Sequence, residues 1–212
     1  MIISNTHRFI FFAVPKTGTH SIRRALRPQL GDDDHEQVAL FERKKLPFKE
    51  TRHIEHGHLS ARQIRPVVGE ETFQAYFKFA FVRDPFDRFV SYCAFMSRED
   101  GAFKRDPAAF MKHVIRVIRP YRHLLFRPQF EFLCDDSGQP VMDFVGRVER
   151  MQDDFDAICE RLGLEQTPLG KANTSERGDY RQYYDDELVE LVGRLYRRDI
   201  ELFGYPADPR PG

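Results

Sequence analysis

The sequence predicts an α/β domain whose mainly parallel sheet is flanked by helices. Two short apolar runs, Phe9-Ile10-Phe11-Phe12-Ala13-Val14 and Phe77-Lys78-Phe79-Ala80-Phe81-Val82, read as strands buried on both faces. Each is followed within three residues by a proline, and the segments between and after them carry apolar residues at helical spacing. With 212 residues the chain is long enough for one such domain over 1–212, able to bury roughly 70% of its unfolded surface without a disulfide or metal staple.

In order, Phe9–Val14 is the first strand, and Ser21–Leu30 a helix with Ile22, Ala25 and Leu26 on one face. Residues 32–56 are polar and weakly patterned, which predicts loops with short helical pieces. Ala61–Tyr76 reads as one or two helices broken around Pro66 to Gly69, and Phe77–Val82 as the second strand. Pro85–Met96 opens a helix with proline in its first turn, and Pro107–Ile118 is another, stopped by Pro120. Val141–Val148 predicts a further strand. Arg150–Leu162 predicts a helix closed by Gly163, residues 163–184 a loop, and Asp185–Phe203 a last helix capped by Gly204.

Lys+Arg and Asp+Glu balance at 33 each, so no global field draws the chain to nucleic acid or to an anionic membrane. The basic side holds 25 Arg against 8 Lys, and arginine suits planar recognition of phosphate, sulfate and carboxylate. Cys93, Cys134 and Cys159 form neither a disulfide framework nor a CxxC pair, and no carboxylates or histidines cluster at metal spacing; no metal is expected. The apolar stretch at Phe9–Val14 is too short for a signal-peptide core or a membrane span. These features predict a protein without a transmembrane segment in a reducing, cytoplasmic compartment.

Chemistry concentrates in Val14-Pro15-Lys16-Thr17-Gly18-Thr19-His20-Ser21, where a buried strand turns through Gly18 straight into a helix. The first amides of a helix have no intrahelical partner, and with the positive end of the dipole they make an anion site. Lys16, Thr17, Thr19, His20 and Ser21 add side-chain donors. The segment is like a phosphate-binding loop, yet GxxxxGK[ST] is absent because the lysine precedes the glycine, which weighs against an ordinary ATPase or kinase. In Phe81-Val82-Arg83-Asp84-Pro85-Phe86-Asp87-Arg88-Phe89-Val90-Ser91, Arg83 follows a strand's carboxyl end, where open α/β sheets bind ligands. Arg83 and Ser91 could hold a second phosphate there; equally, Arg83 could pair with Asp84 or Asp87.

Together these two segments resemble the sulfotransferase family, which uses 3′-phosphoadenosine 5′-phosphosulfate (PAPS). Pro15-Lys16-Thr17-Gly18-Thr19-His20-Ser21 is similar to its 5′-phosphosulfate loop, and Arg83 through Ser91 to its 3′-phosphate motif. Arg127-Pro128-Gln129, Glu149, Asn173-Thr174-Ser175 and Tyr196…Asp199…Leu202-Phe203-Gly204-Tyr205 continue the likeness in the order of the carbohydrate sulfotransferase branch, Golgi-type and bacterial. His20 stands where the family usually has Ser or Thr. The Golgi members' N-terminal anchor has no counterpart, which implies a bacterial-type enzyme. The resemblance implies a P-loop-NTPase-like sulfotransferase fold, PAPS as co-substrate without metal, a hydroxyl-bearing carbohydrate or other small polar acceptor, and Ser175 in a loop closing over the nucleotide.

Sulfuryl transfer needs positioning, charge stabilisation and a base for the acceptor hydroxyl. Lys16 would neutralise charge on the leaving phosphate. A histidine suits the base, and His56-Gly57-His58 is the densest of eight, resembling the catalytic segment of uronyl 2-O-sulfotransferases. His58 is the expected base, His56 its partner or substitute, and His123 the reserve ahead of His53; a base beside a phosphosulfate should titrate at or above about 6.5. The competing readings are a nucleotide kinase of related fold and a non-catalytic nucleotide-binding module. The basic stretches Arg116, Arg119, Arg122, Arg127 and Arg43, Lys44, Lys45, Lys49, Arg52 read either as an anionic-sugar surface or as solvated faces.

Overall fold

The apolar runs become neighbouring central strands in the computed structural model, which describes residues 1–39, 43–170 and 178–211. Five strands, β1 (Ile2–Ser4), β2 (Phe9–Phe12), β3 (His35–Glu36), β4 (Phe77–Val82) and β5 (Phe144–Arg147), form one sheet in the order β3-β1-β2-β4-β5. β2 pairs with β4, and β4 with β5, in parallel; β1 runs antiparallel to both β2 and β3. Four strands therefore share one direction and only β1 opposes it, so the sheet is mainly parallel. β1 is absent from the sequence reading, because three residues are too few to show a period.

The chain divides into two compact units, Met1–Val82 with Gln129–Ala172 and Arg83–Pro128 with Asn173–Gly212. The first holds the whole sheet, with α1 (Thr19–Leu26), α2 (Ala61–Val68), α3 (Glu70–Ala75), α7 (Phe130–Leu133) and α8 (Met151–Leu162). One core joins Phe9, Phe11, Phe79 and Phe81 of the sheet to Ile22 and Leu26 of α1 and Phe155, Ile158 and Cys159 of α8. The Phe9 and Phe11 rings lie 5.5 and 5.2 Å from Phe79. Ile10, Phe12, Ala80 and Val82, which alternate with them, are buried as well, so both sheet faces are covered and the runs are apolar but for Lys78.

The second unit is helical: α4 (Pro85–Met96), α5 (Ala102–Arg105), α6 (Pro107–His113), α9 (Asp186–Leu195) and α10 (Arg197–Phe203). Phe86, Phe89 and Cys93 of α4 pack with Phe126, Leu188, Val192 and Tyr196. Arg88 is fully buried among them; it donates to the carbonyls of Leu125 (3.2 Å) and Arg127 (2.7 Å) and lies over the Tyr196 ring. Tyr196, Asp199, Phe203 and Tyr205 are buried here, with Gly204 in the left-handed region as the cap of α10.

Several boundaries differ from the sequence reading. α1 starts at Thr19 and ends at Leu26, giving way to a 3₁₀ turn at Arg27–Gln29. The helical pair breaks at Gly69 (φ 82°), while Pro66 sits inside α2. The helix expected over 107–118 changes to a π turn at Val114–Ile118 and stops at Arg119 (φ 47°), since the residue before Pro120 is pushed out of the α region. Asp185–Phe203 splits at Tyr196, whose buried ring is anchored by its hydroxyl donating to Phe126 O (2.8 Å). β5 is shorter than 141–148 because Val141 N bonds Leu133 O and Val148 opens a 3₁₀ turn.

Candidate functional site

β2 leads through Ala13-Val14 into a turn that two left-handed residues close, Lys16 (φ 67°) and Gly18 (φ 71°). A lysine in that region is strained, at a cost of order 1–3 kcal/mol, and such strain clusters at functional sites. Gly18 is favoured by its φ, and a Cβ there would press on the flexible end of Met151 at the start of α8. Gly18 is also the N-cap of α1, so no side chain caps the helix, and its first turn holds no acidic residue. The surroundings are cationic: burial lowers the His20 pKa, and Arg23, Arg27, Lys16 and Arg24 lower it further. An uncapped helix start wrapped by such a turn is suited to an anion.

Not every expected donor is presented. Thr17 is fully buried with Oγ1 donating to Val14 O (2.9 Å), which holds the turn together. Ser21 Oγ donates to Gly170 O (3.2 Å). Pro15 is buried and Thr19 nearly so, while Lys16 and His20 are half-buried.

The same unit brings the His-Gly-His segment to this turn. His58 Nδ1 lies 2.6 Å from Ala13 O, two residues before Pro15. A carbonyl only accepts, so Nδ1 carries the proton and Nε2 of the neutral ring is the acceptor atom. His58 N donates to His56 Nδ1 (3.3 Å), and the two rings lie 6.4 Å apart. Burial is the main cause pushing the His58 pKa down to about 3; the Ala13 bond opposes it, and the Met1 amino group, Arg23 and His56 reinforce it. The expectation of 6.5 or above concerned a ring beside a phosphosulfate; in the protein by itself the direction is downward, because the ring loses water and lies near Arg23. His53 is exposed.

A residue the sequence reading missed secures this juxtaposition. Arg23 of α1, 3% exposed, donates through Nη2 to Gly57 O (2.9 Å) and Gln37 O (3.1 Å). A Cβ on Gly57 would lie 2.4 Å from Gln37 O and 2.7 Å from Arg23 Nη2, so the glycine does permit a close backbone approach, toward Arg23. The only signal in the sequence is a charged residue beside the apolar face set by Ile22, Ala25 and Leu26.

In the second unit Arg83 precedes α4, and its guanidinium is engaged by Asp87, Nε and Nη2 both lying 2.7 Å from Oδ2. The pairing expected as one reading for Arg83 is present. Asp84 caps α4, accepting from Phe86 N (2.8 Å) and from the Tyr180 hydroxyl (2.9 Å). Ser91 is half-buried on α4. His123 Nδ1 and the Tyr92 hydroxyl share a hydrogen bond (3.2 Å). The basic stretches are partly committed: Arg43 and Lys45 to Glu55, Arg116 to Glu187. Ser175, with Asn173 and Thr174, lies outside the described residues. Glu149 is exposed in a short turn. Among the described residues no group of His, Cys, Asp or Glu gathers to hold a metal, and no helix is long and apolar enough to cross a membrane.

Comparison with known proteins gives a coherent picture. A family model described as "Sulfotransferase family" matches residues 1–206. Carbohydrate sulfotransferase 14 of Danio rerio is 26% identical over 97% of this chain and 62% of its own length. Carbohydrate sulfotransferase 10 of Xenopus laevis is 25% identical over 97% of this chain and 67% of its own. An uncharacterized protein of Archaeoglobus fulgidus is 28% identical over 58% of this chain and 98% of its own. The chain thus spans about two thirds or less of the two carbohydrate sulfotransferases. No solved structure matches it significantly.

Proposed function

The chain belongs to the sulfotransferase family, and from that premise we propose that it moves a sulfuryl group from PAPS to a hydroxyl of a sugar or another small polar acceptor. The observation that carries the reading is the His58–Ala13 bond, which ties a neutral histidine to the strand end that opens the Pro15–Ser21 turn. The uncapped start of α1, the left-handed Lys16 and Gly18, and the cations around them fit the 5′-phosphosulfate. The turn is in this sense P-loop-like, and both units serve one sulfotransferase domain.

In the reaction, backbone amides within Lys16–His20 hold the phosphosulfate, with Thr17 acting through its amide because its hydroxyl is spent. His58 Nε2 takes the acceptor proton as the acceptor oxygen bonds to sulfur. Lys16 meets the charge that grows on the bridging oxygen as its bond to sulfur breaks. The products are a sulfate ester and adenosine 3′,5′-bisphosphate (PAP), and the proton passes from His58 to solvent. His56 orients the acceptor and stands in as base. Arg83 exchanges Asp87 for the 3′-phosphate, aided by Ser91. Because His58 is held neutral, its acid limb lies well below 6.5, and the rate stays flat in that respect across neutral pH.

The test is calorimetric titration with PAP, then incubation with PAPS and a panel of mono- and oligosaccharides, with sulfated products read by mass. Expected are PAP binding, a sulfate mass increment, and at least about a hundredfold slower turnover for His58→Ala with PAP affinity retained. A wild-type rate in His58→Ala, or no PAP binding, overturns the assignment.

A further inference from the structure

Burying a guanidinium is costly, and Arg23 is 3% exposed with Nε lacking any hydrogen-bond partner. Its nearest carboxylate pairs with it but is shared. Glu36 Oε1 lies 3.6 Å from Arg23 Nε, but Glu36 is already held by both arms of Arg27 (2.8 and 3.0 Å) and faces Lys44 at 3.8 Å. What Arg23 supplies from α1 is the Nη2 donation to the carbonyls of Gly57 and Gln37, which the Met1 amino group also reaches at 2.6 and 3.1 Å. Gly57 gives up its side chain to the same contact, since a Cβ would collide with Arg23 Nη2 and Gln37 O. Two residues 34 positions apart are thus both constrained by one meeting point, and it lies between His56 and His58.

We propose that Arg23 is a positioning residue for the base: it locks His56-Gly57-His58 onto the helix whose first turn is the anion site, and so keeps the His58 ring on the Ala13 carbonyl. This rests on the reading of His58 as base. α1 thereby carries both the anion-binding turn and, one turn on, the clamp for the proton acceptor. The arrangement fixes the tautomer, because while Nδ1–H stays on Ala13 O only Nε2 can accept a proton. The charged and titratable groups facing His58 are the Met1 amino group just before β1, Arg23 from α1, and His56 from its own segment. None is acidic, so Arg23 also helps hold the ring neutral.

The test combines ¹⁵N-histidine NMR of the full chain with kinetics on Arg23→Gln, Arg23→Lys and, should either fail to fold, Gly57→Ala, which strains the same contact from the other side. In the wild type, His58 is expected as the Nδ1–H tautomer from pH 5 to 8. Arg23→Gln should mix the tautomers and raise the His58 titration midpoint by about one pH unit, one positive neighbour being gone. It should lower kcat at least tenfold and leave PAP affinity within about threefold. Arg23→Lys should restore the midpoint and only part of kcat, since one ammonium cannot reproduce the fork. Retention of the Nδ1–H tautomer and of wild-type kcat in the variants overturns the proposal, as does a loss of PAP affinity equal to the loss of kcat. If the wild type transfers no sulfate, the sulfotransferase reading fails separately, and the tautomer still decides the role of Arg23.

Discussion

The chain makes the same local move twice: a buried strand ends, two to six residues turn, and a helix begins. At the first junction Gly18 is the N-cap, no side chain caps α1, and no acid stands in its first turn. At the second, Asp84 caps α4 by accepting from Phe86 N, Pro85 occupies the first position without an N–H, and Asp87 follows. The first junction leaves the helix start for a ligand, whereas the second has satisfied it internally. An anion met by the first can be held by backbone; one met by the second must be held by side chains, Arg83 foremost. Similar strand–helix junctions therefore imply different kinds of recognition.

Substitutions can break or sharpen this contrast. The largest effect is expected at Lys16, where charge develops. Lys16→Ala should lower turnover about a hundredfold or more, an electrostatic loss of roughly 3–4 kcal/mol, with PAPS affinity changed far less. Single-turnover kinetics against equilibrium binding would show it, and equal losses would reduce Lys16 to a ground-state anchor. Next, Arg83→Ala should weaken PAP about ten- to a hundredfold, the cost of one charge-assisted contact at roughly 1.5–3 kcal/mol. Adenosine 5′-phosphosulfate, which lacks the 3′ group, should bind nearly as before; parallel losses for both would refute a side-chain 3′-phosphate site.

Asp84→Ala removes a cap rather than a ligand contact. It should cost about 1 kcal/mol of stability in urea unfolding, plus the loss of the Tyr180 bond, while leaving the first junction's anion binding unchanged. A collapse of PAPS affinity there would mean that the second helix start is itself a ligand site. The smallest effect is expected from Asp87→Asn, which weakens the partner Arg83 must leave. PAP should bind a few-fold tighter, and a weaker complex would show that Asp87 orients Arg83 rather than competes with ligand.

The legible parts of the fold were those with a period. β2 and β4 announced themselves because burial on both faces forces continuous apolar runs, and α8 because Met151, Phe155, Ile158 and Leu162 recur at helical intervals before Gly163. β1 and β3, with three and two residues, had no room for a pattern, and they are held by tertiary pairing with their neighbours. The break at Tyr196 is set by a hydroxyl reaching Phe126, 70 residues away, which no local window contains. At the site, the residue types of the first junction could be read from spacing, but how their donors are spent could not. Thr17 and Ser21 look like ligand donors in sequence, and in the fold one closes the turn and the other reaches Gly170. The downward push on the His58 pKa was hidden for the same reason: burial belongs to the fold, not to the motif.

Met151 gives the first junction a chemical vulnerability from outside it. Its thioether backs Gly18 so closely that a Cβ built on the glycine would lie 3.2 Å from Sδ. Oxidation to the sulfoxide would put a polar, chiral oxygen on that sulfur, against the residue whose left-handed geometry shapes the turn. Peroxide would then disable the anion site without altering any residue of the turn, and a methionine sulfoxide reductase would restore it. Met151→Leu, close in volume and without sulfur, would leave the protein indifferent to the oxidant.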